Sequence, residues 1–188
     1  MSLILASQSP RRKQLLELLR VPFTVRVADI DETLATDCPI PDAVARLSLR
    51  KAQAIPRDPG DTVIAADTIV VCDGKVLGKP KDEADARRML ALLSGRDHQV
   101  MTGLTVLRGE KILSCTEVTD IHFRALTEKE IESYIRTGEP MDKAGSYGIQ
   151  GGAALFAEKL RGDYFNVVGL PVCRLGKLLK EIAPELMD

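Results

Sequence analysis

Tryptophan is absent from these 188 residues, and aromatic side chains make up only 4% of them. Stacking platforms for single-stranded nucleic acid are therefore scarce. Neither sign of charge dominates: 26 Lys and Arg face 27 Asp and Glu, a net charge of -1. No global field draws the chain onto DNA, RNA or an anionic membrane, so a polyanionic ligand has to be met by a local cluster of cations. No apolar run approaches the ~20 residues needed to span a bilayer. Cys38, Cys72, Cys115 and Cys173 form no C-x-x-C pair and have no His close by in sequence. That excludes zinc-site spacing and a disulfide framework and leaves buried, reduced thiols as the expectation. The opening residues Met1 to Ser7 have no basic lead and no cleavage pattern, so they read as a first strand rather than a signal peptide. A cytoplasmic protein follows.

The length fits one domain, 1–188, with ordinary globular composition, 45% hydrophobic and 28% charged. Leu3 to Ala6 reads as a short buried strand. Ser9-Pro10 opens a helix, with Ser as N-cap and Pro in the first turn, and Leu15, Leu16, Leu18 and Leu19 as its apolar face. Val25 to Ile30 reads as a second strand and Asp42 to Ala54 as a second helix. Thr62 to Cys72 is apolar and β-branched, interrupted only by Asp67 and Thr68. Asp73-Gly74 is a hairpin signal, with Lys75 to Leu77 returning. Asp82 caps a helix through Leu93 that stops at Ser94-Gly95. A second hairpin spans Gln99 to Phe123, and Thr127-Glu128-Lys129-Glu130 is a capping box. After the glycine-rich 144–152, Phe165 to Val168 reads as a strand, and a helix follows Pro171. Helices alternate with strands, but two hairpins intervene, so the fold class is α/β (α+β) with a mixed sheet.

Four constellations carry chemistry. Ser7-Gln8-Ser9-Pro10-Arg11-Arg12-Lys13 places three cations at a helix start, where the dipole is already positive. An anion bound by backbone N–H groups, the hydroxyls of Ser7 and Ser9 and the guanidinium forks explains that arrangement, and phosphate is the natural candidate. The alternative is a solvated basic helix start. Asp67, a carboxylate inside a buried strand, points to a metal ligand or general base, or else to a structural ion pair. If the hairpin keeps its register, Gly78-Lys79-Pro80-Lys81 returns beside Asp67 with a partner or with phosphate ligands. Asp31-Glu32, at the end of a strand, can hold a hard cation such as Mg²⁺, though acidic pairs in loops are commonly just solvated. Lys51 on the second helix is by default a surface lysine. Gly145-Ser146-Tyr147-Gly148-Ile149-Gln150-Gly151-Gly152 lets backbone approach a ligand, with Gln150 offering both donor and acceptor; the alternative is a mobile loop. No P-loop or dinucleotide fingerprint is present, which removes a Rossmann-type cofactor domain. His98 and His122 are isolated and receive no role.

In order along the chain, Ser7-Gln8-Ser9-Pro10-Arg11-Arg12, Ala65-Ala66-Asp67-Thr68, Gly78-Lys79-Pro80-Lys81, Gly138 to Gly151 and Asn166-Val167-Val168-Gly169-Leu170-Pro171 resemble the Maf family of nucleotide pyrophosphatases over nearly the whole length. Gln8 departs from the glycine that members often carry. The resemblance implies an elongated, twisted mixed sheet with helices on both sides and a cleft between two lobes. It also implies hydrolysis of the α–β phosphoanhydride of a nucleoside triphosphate. Gly-Ser-Tyr-Gly-Ile-Gln resembles the dTTP/UTP-cleaving branch, with modified pyrimidine nucleotides as a further substrate class and removal of unwanted nucleotides as the purpose. The aspartate matching Asp67 is the implied proton acceptor, and Arg11, Thr68 and Gln150 fall at positions tied to substrate choice. Substrate binding then falls to Ser7, Ser9, Arg11, Arg12, Lys51, Thr68, Lys79, Lys81 and Gln150. Glu32 and Asp67 hold a divalent cation, Mg²⁺ or Mn²⁺. The implied partners are the nucleotide and a second copy of the chain, with no nucleic acid and no membrane. A rival also carried by the family name is a nucleotide-binding regulator of cell division or septum formation with little turnover.

Overall fold

The computed structural model describes residues 2–187. Among these residues, seven strands form one mixed sheet, β1 (Leu3–Leu5), β2 (Phe23–Val25), β3 (Thr62–Cys72), β4 (Lys75–Leu77), β5 (Asp97–Arg108), β6 (Lys111–Phe123) and β7 (Ala157–Arg161). Their order is β2-β1-β3-β5-β6-β7, with β4 added on β3. Among the described residues six α-helices accompany them: α1 (Pro10–Glu17), α2 (Ile40–Gln53), α3 (Glu83–Leu93), α4 (Glu128–Ile135), α5 (Tyr164–Val168) and α6 (Val172–Ile182). The chain divides into two compact units, and β3, β5 and β6 each contribute to both.

The first unit holds the chain through Asp67, then Thr102–Glu117, then the segment from Gly169. Here β1 pairs in parallel with both β2 and β3, with Leu3 opposite Phe23 on one side and Thr62 on the other. Ile4, Val63, Ala65, Leu107, Ala52 and Ile55 form one of its buried clusters. α2 lies directly against β5: a Cβ at Gly103 would collide with the Val44 carbonyl oxygen. A line of hydroxyls, Ser48 to Thr105 at 2.7 Å and Thr105 to Ser114 at 2.8 Å, crosses the same contact and satisfies its buried polar atoms.

The second unit holds Thr68–Met101 and Val118–Val168. The Asp73-Gly74 turn has φ of 49° and 71°, the left-handed pair that suits a two-residue hairpin. α3 and α4 cover a core built around Leu90, Leu93, Ile121, Phe123, Tyr147 and Phe156. The Thr127–Glu130 capping box is formed in full. Glu130 is held down to a pKa of about 2, first by the side chain of Arg124 and then by Thr127.

Several expectations need correction. Leu18 lies past the end of α1 and is 57% exposed, because Leu15 and Leu16 already fill the buried side of so short a helix. The second strand is Phe23–Val25, not Val25 to Ile30. Its partner β1 ends at Leu5, whose carbonyl accepts the final bond from the Arg26 N–H. Phe165 to Val168 is part of helix α5, because Asp163 accepts from the N–H groups of Phe165 and Asn166 and caps it. β7 has no strand signal in the sequence, being a mostly exposed edge strand without apolar alternation. Only Cys72 of the four free cysteines is buried, and Cys173 is exposed.

Candidate active site

Helix α1 starts where β1 ends, which brings Ser7, Ser9, Arg11 and Arg12 onto one turn. Ser7 is buried, and its Oγ accepts from the Ser9 N–H and from an Arg12 guanidinium nitrogen, both at 3.2 Å. Ser9 is the N-cap, accepting from the Arg12 N–H at 3.5 Å. In these bonds both hydroxyls are acceptors, so their protons are spent on neither. Arg12 Nε donates to the Gly169 carbonyl at 2.8 Å, tying the start of α1 to the segment before α6. No acidic residue lies in the first turn. Burial lowers the Arg12 pKa, Asp67 and Glu32 oppose that, and Arg11 reinforces it. Arg11, Arg12, Asp67 and Glu32 thus share one electrostatic neighbourhood. Gln8 is exposed.

Asp67 and Thr68 are the half-buried pair in an otherwise buried β3. The cation facing Asp67 comes from α2. Lys51 Nζ lies 2.6 Å from Asp67 Oδ1 and 2.9 Å from Glu32 Oε1. Lys51 and Asp67 are 14% and 13% exposed, whereas Glu32 is 64% exposed. Hairpin pairing runs from Cys72 opposite Lys75 to Val70 opposite Leu77, where it ends. The expected acidic pair divides. Asp31 accepts from the Thr33 N–H and hydroxyl at 2.9 and 2.6 Å, while Glu32 turns to Lys51. Thr33 holds the Asp31 carboxyl below its usual range. Asp31-Glu32 sits in an irregular segment rather than at a strand end, fastened to α2 by Arg50 donating to the Thr33 carbonyl at 2.7 Å. Among the described residues no group of three or more metal-binding side chains occurs. The site therefore offers two carboxylates around one ammonium. Lys51, by default a surface residue in sequence, is its centre, and only the packing of α2 on β5 reveals that.

In the second unit, Lys79 and Lys81 are exposed between β4 and α3. The Lys81 N–H donates to Asp85 at 3.2 Å. Gly145 donates to the Gly78 carbonyl at 3.0 Å, so the Gly78 to Lys81 segment and the glycine-rich stretch hold each other. Gly145 has φ of 67°, and a Cβ there would press on Val70 at 2.8 Å. The glycine-rich stretch is folded into short 3₁₀ turns, with Ser146 and Tyr147 buried and Gln150 exposed.

His98 lies in the core beneath Tyr147, its Nε2 2.9 Å from the tyrosine hydroxyl and its ring edge-on to Phe123. Burial pushes its pKa down to about 4. The unfolded chain takes up that proton near pH 6.5, so it binds more protons than the native state between about 6.5 and 4. Stability is fully present above pH 6.5 and should fall through that window, by roughly 2–3 kcal/mol. Urea unfolding at pH 7, 5.5 and 4.5 measures this. His98→Gln should flatten the component, and an unchanged pH slope in that variant would remove His98 as its source.

A family model described as Maf-like protein matches residues 2–182. A dTTP/UTP pyrophosphatase of Symbiobacterium thermophilum is 52% identical over 181 residues, covering 95% of this chain and 93% of that protein. Another, of Bacillus cytotoxicus, is 50% identical over 179 residues, covering 95% and 94%. Among solved structures, a HAM1 protein from Coxiella burnetii matches with a TM-score of 0.55 at 16% identity, over 96% of this chain and 99% of that one. This last likeness concerns the fold, and it bears out the mixed α/β architecture.

Proposed function

Because the chain belongs to the Maf family, we propose that it hydrolyses the α–β phosphoanhydride of dTTP and UTP, releasing pyrophosphate and the nucleoside monophosphate. Modified pyrimidine nucleotides are included in the proposed substrate class. The observation that carries this reading is the convergence of Asp67 and Glu32 on Lys51, in the same electrostatic neighbourhood as the basic start of α1. A pure nucleotide binder needs the cations but has no use for two carboxylates among them.

Asp67 accepts a proton from the attacking water as the water oxygen bonds to the α-phosphorus. The bond from that phosphorus to the bridging oxygen breaks, and pyrophosphate leaves with the electron pair. Ser7 and Ser9 donate their hydroxyl protons to phosphate oxygens, and Arg11, Arg12 and Lys51 meet the charge that develops. Lys79 and Lys81 are assigned to the phosphate chain. Gln150 is assigned to the O4/N3 edge of the base, with Thr68 beside Asp67 contributing to selection.

Glu32 and Asp67 fit a divalent cation, since two hard oxygen donors already converge on one cationic nitrogen. Mg²⁺ or Mn²⁺ bound there would polarise phosphorus and neutralise phosphate oxygens. No helix among the described residues is long and apolar enough to cross a membrane. We assign the protein to the cytoplasm, where nucleoside triphosphates are abundant.

The test is a pyrophosphate-release screen of the purified protein across ordinary and modified triphosphates, with Mg²⁺ or Mn²⁺ and with chelator. The expected result is dTMP or UMP plus pyrophosphate, reduced at least ~100-fold by chelator. Silence on every triphosphate despite measurable nucleotide binding would favour a regulator of division without turnover.

A further inference from the structure

Gln150 stands at the third position of a tight turn closed by the Gly151 N–H on the Gly148 carbonyl at 3.0 Å. Ile149 beside it packs inward against the core, and Gly148, Gly151 and Gly152 have no side chains. The turn therefore presents one side chain, the exposed amide of Gln150.

Both flanks of this turn are held from behind. The Gly148 N–H donates to the Tyr134 hydroxyl at 3.0 Å, and that hydroxyl donates to Glu139 Oε1 at 2.8 Å. The other oxygen, Oε2, accepts from the Gly152 N–H at 3.0 Å. The Glu139 carboxylate fits so closely under Gly151 that a Cβ there would overlap it, and a Cβ at Gly148 would meet Lys143 Cε at 2.7 Å. Lys143 donates to the Glu139 carbonyl at 2.7 Å, which fixes the backbone that carries the bracket. Tyr134 is buried edge-on against Phe156, with ring centroids 5.2 Å apart. Burial, aided by the Glu139 contact and opposed by the Gly148 N–H, raises its pKa, so the hydroxyl keeps the proton it donates.

We propose that Tyr134 and Glu139 are positioning residues that set the Gly148–Gly151 turn and so determine base selection through Gln150. This rests on the substrate reading above. A side-chain amide discriminates a 4-oxo from a 4-amino pyrimidine only if its orientation is fixed. On a glycine-rich turn that orientation cannot come from neighbouring side chains. The bracket supplies it by capturing two backbone N–H groups on either side of Gln150.

The test compares UTP with CTP, whose 4-amino group inverts the donor and acceptor pattern. Steady-state kinetics are measured for the unaltered protein and for Tyr134→Phe, Glu139→Ala and Glu139→Gln, with thermal unfolding alongside. Tyr134→Phe keeps the ring and loses the hydroxyl. It should raise KM for UTP ~10-fold with kcat within about 2-fold, and reduce the preference for UTP over CTP ~10-fold. Glu139→Ala should do at least as much, and Glu139→Gln, which keeps an acceptor for Gly152, should recover part of the preference. If Tyr134→Phe does not fold, Gly151→Ala displaces the turn from the other side and gives the same readout. Folded variants with unchanged preference, or an equal loss of kcat on both nucleotides, overturn the proposal alone. No pyrophosphate release by the unaltered protein overturns the substrate reading and this proposal with it.

Discussion

Asp67→Asn should lower kcat/KM on dTTP and UTP by about 1,000-fold or more while the protein stays folded; the loss of a general base commonly accounts for 10²–10⁴. Asn has the size of Asp but neither takes up a proton from water nor supplies a charged ligand. The change also removes one of the two carboxylates that face Lys51. The ammonium keeps Glu32 at 2.9 Å, and the amide oxygen of Asn can still accept from it. The stability cost should therefore stay near 1–2 kcal/mol, below that of stripping a buried charge of every partner. Circular dichroism and a thermal melt establish the fold, and single-turnover pyrophosphate release reads the chemistry. Residual activity within tenfold of the unaltered protein would take the base role from Asp67, and Glu32→Gln measured in parallel would show whether Glu32 holds it. Loss of Mn²⁺ binding in either variant, followed without nucleotide, separates metal ligation from proton transfer.

Gly103→Ala should be among the most destabilising single substitutions in the chain, at about 3–5 kcal/mol, with the thermal midpoint lowered by ~6–15 °C. The added carbon would collide with the Val44 carbonyl oxygen and approach Val44 C at 2.6 Å and the Ala45 nitrogen at 2.9 Å. All three atoms are backbone, so no rotamer change relieves the clash, and α2 has to shift bodily off β5. That shift would also part Ser48 from Thr105 and Thr116 from the Pro41 carbonyl, now 2.7 Å apart in each pair. Since α2 carries Lys51, activity should fall along with stability. Gly176→Ala on α6, whose nearest neighbour would be Met187 Cε at 3.8 Å, is the matched control and should be neutral or slightly stabilising. A midpoint for Gly103→Ala within 2 °C of the unaltered protein would mean that α2 can slide, and that its close contact with β5 does not hold the site.

Elements whose signals are local were legible along the chain. The Ser9 cap, the Asp73-Gly74 hairpin, the Asp82 cap and the Thr127–Glu130 box each act within a few residues, and each formed as expected. The Phe165 to Val168 run is compatible with helix or strand, and the Asp163 cap decides for helix. Of the candidate site, the residue types were legible: serines and arginines at a helix start, and a carboxylate within an apolar strand. Their partners were not. Lys51 lies 16 residues before Asp67, on a different element. Its place between two carboxylates depends on the face of α2 that Gly103 draws against β5. Tyr134 and Glu139 reach the Gln150 turn only because the chain reverses after α4. A cap or a turn depends on backbone geometry within one stretch of chain, so residue order alone specifies it. An ion pair or a bracket between distant segments depends on how those segments pack, and it exists only once the core has formed.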